Sequence, residues 1–78
     1  MSVYDLSTLP IGQRAIIQDI VADESIRQRM KSMGLRAGRE AWVVRSARMG
    51  GPLQIRVGSV TLILRRSDAA RISVTLAA

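Results

Sequence analysis

The placement of glycine constrains this chain more than any other feature. Gly34 ends a short helical pattern, Gly38 opens a strand, and Gly50-Gly51-Pro52 turns that strand back onto a second. Beyond the turn, Leu53, Ile55 and Val57 alternate with Gln54 and Arg56, the period of a strand that buries one face. Glycine reaches backbone conformations closed to other residues. Its spacing therefore marks where the chain reverses, and here it leaves pieces that suit a small half-open β barrel.

The remaining segments fit that frame. Residues 5–10, Asp5-Leu6-Ser7-Thr8-Leu9-Pro10, form an opening turn whose Leu6 and Leu9 dock on the core, and Ile11-Gly12 leads into a first strand over residues 14–21. Asp23 stands as an N-cap with Glu24 in the first turn and Arg29 and Lys31 in the last, an order that complements the helix dipole. Ile26, Met30 and Met33 share one apolar stripe, and Gly34 supplies the left-handed cap. Residues 40–47 read as a strand with Ala41 and Val43 on one face and Trp42 and Val44 on the other, both faces partly covered. Gly58-Ser59 is a tight hairpin turn, followed by Val60, Leu62 and Leu64 in alternation. Residues 66–70 make one helical turn, and Ile72, Val74 and Leu76 form a closing strand that covers a sheet edge. The expected fold is mainly β: a single domain over residues 1–78, an SH3-like barrel of about five strands, with one short helix inserted after the first strand and a helical turn before the last.

Composition then narrows function. At 78 residues the chain has room for one small core. It has neither cysteine nor histidine, so the usual nitrogen and sulfur ligands of transition metals are missing, and six carboxylates lie scattered. The common general base and the thiolate nucleophile are missing too, and Lys31 is the only lysine. The expectation is no enzyme, no cofactor and no metal site. No apolar run approaches the ~18–20 residues of a membrane span, and the first ten residues lack the pattern of a secretory signal, so a cytoplasmic location is expected. Twelve basic against six acidic residues give a net charge of +6, which favours an anionic partner: nucleic acid, an anionic membrane surface or an acidic protein face.

Several groups admit two readings. Met30 and Met33 are core, or a pliable contact surface. Arg27, Arg29, Lys31, Arg36 and Arg39 are a solvated face, or a patch that grips acidic groups through arginine's planar fork. Arg65-Arg66 blunts a strand end, or anchors an anion. The Gly50-Gly51-Pro52 loop is turn chemistry, or a binding tip on a rigid scaffold. Trp42 is packed, or an exposed anchor.

Arg29-Met30-Lys31-Ser32-Met33-Gly34-Leu35-Arg36-Ala37-Gly38 resembles the Arg-Leu-x-x-Leu/Met-Gly-Leu/Met-x-Pro-Gly signature of the FeoA family, small cytosolic proteins of bacterial ferrous iron uptake. Gly51-Pro52-Leu53-Gln54-Ile55 and residues 62–74 follow the later family pattern. Ala37 replaces the usual proline, and Ser59 stands where many members carry glycine. The resemblance implies an SH3-like fold without enzymatic activity that acts on FeoB, a membrane permease with a cytosolic GTP-hydrolysing domain. It also implies kinship of fold with the C-terminal domain of iron-dependent repressors, and family members are often described as binding transition metals. The partner-binding residues expected here are Arg29, Met33, Leu35, Arg36, Gly50, Gly51, Pro52, Arg65 and Arg66.

The leading expectation is thus a regulatory or adaptor protein that contacts the FeoB permease, at the cytosolic side of the inner membrane, as a monomer or weak homodimer paired through the edge after residue 47. The alternative is a basic nucleic-acid-binding barrel. Tyr4 and Trp42 are its only aromatics, too few for the stacking platforms of single-strand binders and for the aromatic groove of a proline-rich-peptide adaptor. A metal-sensing repressor would need a helix-turn-helix for which the chain has no room. A duplex clamp on about five phosphates predicts log affinity falling with log salt at a slope near −4.5. The adaptor reading predicts no such binding in a salt-titrated mobility-shift assay.

Overall fold

Local sequence sets each element of the computed structural model, which describes residues 4–77. In chain order these are β1 (Tyr4–Asp5), a 3-10 turn (Leu6–Thr8), β2 (Ala15–Ile20), α1 (Glu24–Ser32), β3 (Glu40–Ser46), β4 (Leu53–Val57), β5 (Val60–Leu64), α2 (Arg66–Ala69) and β6 (Ile72–Leu76). All strands are antiparallel, in the order β1-β6-β2-β3-β4-β5. The sixth strand is β1, whose two residues pair with Val74 and Ser73. Two residues show no period, so the sequence presents only the turn after them. In that turn the Ser7 N–H donates to the Asp5 carboxylate at 2.9 Å.

The sheet curls because two strands carry an extra residue. Register shifts between Ile17 and Asp19 in β2 and between Val43 and Arg45 in β3, and such bulges bend a strand and increase its twist. Val44, at the second bulge, is exposed, so the partial cover on the outer face of β3 falls on Trp42. Trp42 is half-buried, with the Arg14 guanidinium 3.9 Å from its ring centre. Leu6, Ile17, Met30, Leu35, Ile55, Val57, Ile72 and Val74 are fully buried inside the curl. Leu9 and Ile26 pack against this core from its margin.

The helix ends in a Schellman motif. Leu35 N–H donates to the Met30 carbonyl at 3.1 Å and Gly34 N–H to the Lys31 carbonyl at 3.0 Å, with Gly34 at φ +97°. The apolar contact that accompanies such caps is supplied by Met30 and Leu35, both inside the core. At the Gly58-Ser59 turn only Gly58 has positive φ, +60°, which is the pattern of a type II′ hairpin with glycine first. Serine in second place therefore costs the turn nothing.

Two expectations about edges change. β3 lies between β2 and β4, so the chain after residue 47 offers no free edge; the open edges belong to β1 and β5. β6 does cover an edge, that of β2, and β1 covers β6 in turn. Val60, expected inside, is 47% exposed because β5 has a neighbour on one side only. Among the described residues no helix is long and apolar enough to cross a membrane.

Asp23 caps α1 through hydrogen bonds accepted from the Ile26 N–H and the Ser25 hydroxyl, both at 3.0 Å. The Ile26 backbone bond, then the Ser25 hydroxyl, hold its carboxyl below the ordinary value of 3.8. A depressed folded value means the stabilisation is present above pH 3.8 and is lost as pH falls through the lower folded value. Thermal melts across the acid range should show this limb. Asp23→Asn should keep the cap and flatten the limb, whereas Asp23→Ala should lower the melting temperature at neutral pH.

Candidate functional site

Arg66 organises the face that holds most of the expected partner-binding residues. It opens α2 directly after β5, and its Nη2 donates across the sheet to the Ser46 hydroxyl and to the Ala47 carbonyl at 3.3 Å. Its guanidinium thereby braces the start of the loop between β3 and β4 against α2. The loop is tight: Ala47 N–H donates to the Pro52 carbonyl at 3.1 Å and Gly51 N–H to the Arg48 carbonyl at 3.2 Å. A Cβ on Gly51 would lie 2.8 Å from that of Ala47, so glycine is required there for close approach rather than for φ. Met49, at the tip, adopts φ +58° and is fully exposed.

An open groove of about 700 Å³ runs beside this loop, lined by Gly50, Gly51, Pro52, Ile63, Arg65, Arg66 and Ser67. Next to it lies a depression of about 310 Å³ lined by Arg29, Met33, Ile63, Leu64, Arg65 and Asp68. Ile63 and Arg65 belong to both, which makes one continuous face from the end of α1 to the β3–β4 loop. The structure thus brings together Arg29, Met33, Gly50, Gly51, Pro52, Arg65 and Arg66. Met33 is half-buried at the edge of the core and Arg29 is exposed.

Two expected residues fall elsewhere. Leu35 is wholly buried as the apolar half of the Schellman cap, out of reach of any partner. Arg36 lines a separate depression with Gln28, Lys31 and Ser32. Arg66 is half-buried and acts as a brace; its Nε is enclosed without a partner among the described residues. The residue missed from sequence is Ile63, 66% exposed at the centre of the face. Its signal was present: in β5 it occupies the phase shared by Thr61 and Arg65, where a polar residue is the rule.

The charge on this face is largely uncompensated. Among the described residues the only ion pair is Arg14–Glu40, at 2.7 Å on the outer sheet surface. Asp68 is the one acid lining either hollow, against Arg29, Arg65 and Arg66. The face therefore pairs exposed apolar area with arginine forks suited to carboxylates or phosphates.

Comparison with known proteins places this geometry. The FeoA domain family matches residues 4–76. The chain belongs to the FeoA family. A fusion protein of Fe(2+) transport protein A and the Fe(2+) transporter FeoB from Porphyromonas gingivalis is 35% identical over 71 residues, which cover 91% of this chain and 8% of that protein. The crystal structure of an iron uptake regulatory protein, FeoA, superposes with a TM-score of 0.84 at 32% identity, covering 99% of this chain and 100% of that one. The zinc complex of Stenotrophomonas maltophilia FeoA, described as a prokaryotic SH3 domain protein, gives 0.75 at 33% identity, with 91% and 88% covered. A manganese-dependent transcriptional repressor shares the fold at 19% identity.

The FeoA domain here is thus SH3-like and of a family tied to ferrous iron transport. Zinc in the S. maltophilia protein raises the question of a metal site in this one. Its donors do not fit: histidine and cysteine are missing from the sequence, and among the described residues no three carboxylates gather. In the family signature, Met30, Gly34 and Leu35 build the helix cap, while Arg29 is exposed and Met33 sits half-buried at the margin of the core.

This division is measurable by urea unfolding. Leu35→Ala should cost about 2–5 kcal/mol as a core truncation, and Gly51→Ala about 1–3 kcal/mol through the clash with Ala47. Arg65→Gln should stay within about 0.5 kcal/mol of the parent.

Proposed function

We propose that this chain is a regulatory adaptor of bacterial ferrous iron uptake that works at the cytosolic side of the membrane by docking on a FeoB-type permease and its GTPase domain. The observation that supports it is the P. gingivalis relative, in which a segment 35% identical to this chain is part of one polypeptide with FeoB. A covalent tether holds two modules at an effective concentration of order mM. A separate chain must supply the same association from its own surface, and the arginine-bordered apolar face centred on Ile63 is suited to that. The net charge of +6 adds attraction to an anionic inner leaflet, at about 1 kcal/mol per well-placed basic residue.

No catalytic step is assigned to the chain; it acts by contact alone. Nucleic-acid binding is disfavoured further by Trp42, since Arg14 covers its ring and leaves Tyr4 as the other aromatic for stacking.

Co-purification with the permease from solubilised membranes tests the proposal. The parent chain should be retained, Arg29→Glu and Arg65→Glu should each weaken retention about tenfold, as expected for charges within an interface, and Arg36→Glu, on the other depression, should leave it unchanged. No association, together with normal ferrous uptake in a strain lacking the chain, removes the reading.

A further inference from the structure

We infer that the free edge of β5 is a docking site for an extended acidic segment of a partner protein, which adds to the sheet as a further strand. This deepens the adaptor reading by naming the mode of contact. The peptide test below needs no permease, so its failure leaves that reading standing.

Among the described residues β1 spans two positions, whereas β5 runs for five and pairs only with β4. In a two-residue hairpin the residues flanking the turn form a hydrogen-bonded pair, here Val57 and Val60. Alternation then turns Val60, Leu62 and Leu64 toward β4 and leaves the N–H and C=O groups of Thr61 and Ile63 facing outward. Neither residue joins a backbone bond outside the ladder among the described residues. Natural edges are commonly blunted by lysine, proline or a bulge. Val60-Thr61-Leu62-Ile63-Leu64 contains no charge and no proline, and its register against β4 is unbroken. An unprotected edge of this kind is a template for strand addition.

Charge chooses the occupant. A second copy would bring another +6 against this one. An acidic segment instead meets Arg65 at the end of the edge and Arg29 across the adjoining depression, with Asp68 the single opposing acid there. Apolar residues in alternate positions of that segment would cover Leu62, which is half-buried, and Val60, which is exposed. The matching partner is thus a stretch of at least five residues in which acidic and apolar side chains alternate.

Two synthetic seven-residue peptides serve as probes, one alternating Glu and Val, the other Lys and Val. Titrated into the whole chain and followed by amide hydrogen exchange, the Glu peptide should slow exchange at Thr61 and Ile63 by at least tenfold and bind at least tenfold more tightly than the Lys peptide. Thr61→Pro, which removes an outward donor while sparing the β4 ladder, should weaken the Glu peptide at least tenfold. Arg65→Glu should do the same, and Arg36→Glu, with the same change in net charge, should not. Should Thr61→Pro fail to fold, Arg65→Glu and the exchange map of the parent decide. Unchanged exchange at Thr61 and Ile63, equal binding of both peptides, or protection of these amides by self-association without peptide each overturns the inference, the last by showing a second copy to be the occupant.

Discussion

The turn at Gly34 is the constraint on which the rest of this structure depends. Two backbone bonds, from Leu35 to Met30 and from Gly34 to Lys31, stop α1 and reverse the chain within two residues. Only a left-handed residue closes that geometry without strain, and Gly34 has φ +97°. The reversal drops Leu35 into the core beside Met30, and the chain then re-enters the sheet where Gly38 N–H meets the Ile17 carbonyl at 2.8 Å. The helix is thereby held against the sheet by its own C-terminus.

The position of the candidate face follows from that anchoring. With Met30 drawn inward, residues one position back and three positions on, Arg29 and Met33, are carried to the helix flank that borders β5. From the other side, Arg66 ties the loop after β3 to α2 and so sets Gly50, Gly51 and Pro52 beside the same strand. Three segments distant in sequence meet around Ile63.

Much of the fold was legible. The caps at Asp23 and Gly34, the hairpin at Gly58 and the alternation of Leu53, Ile55 and Val57 each rest on interactions within a few residues, so local sequence carries them. The site was legible in part. The family resemblance and the arginine groups pointed to Arg29, Arg65 and Arg66, yet the signature mixes residues that build the cap with residues that face outward. Leu35 was misassigned for that reason. Ile63 escaped notice because one apolar residue in the polar phase of a strand is a weak signal until its neighbours in space are known.

By itself the sequence determined the elements, their turns and the charge, because caps, glycine conformations and the two-residue period are local physics. It also determined that carboxylates and arginines, without histidine or cysteine, would have to carry any polar chemistry. Tertiary structure alone decided the addition of β1 to β6, the bulges that expose Val44, the burial of Leu35 and the position of β5 at a free edge. Each of these depends on which strand lies beside which, and pairings across dozens of residues leave no mark on the local pattern of the chain.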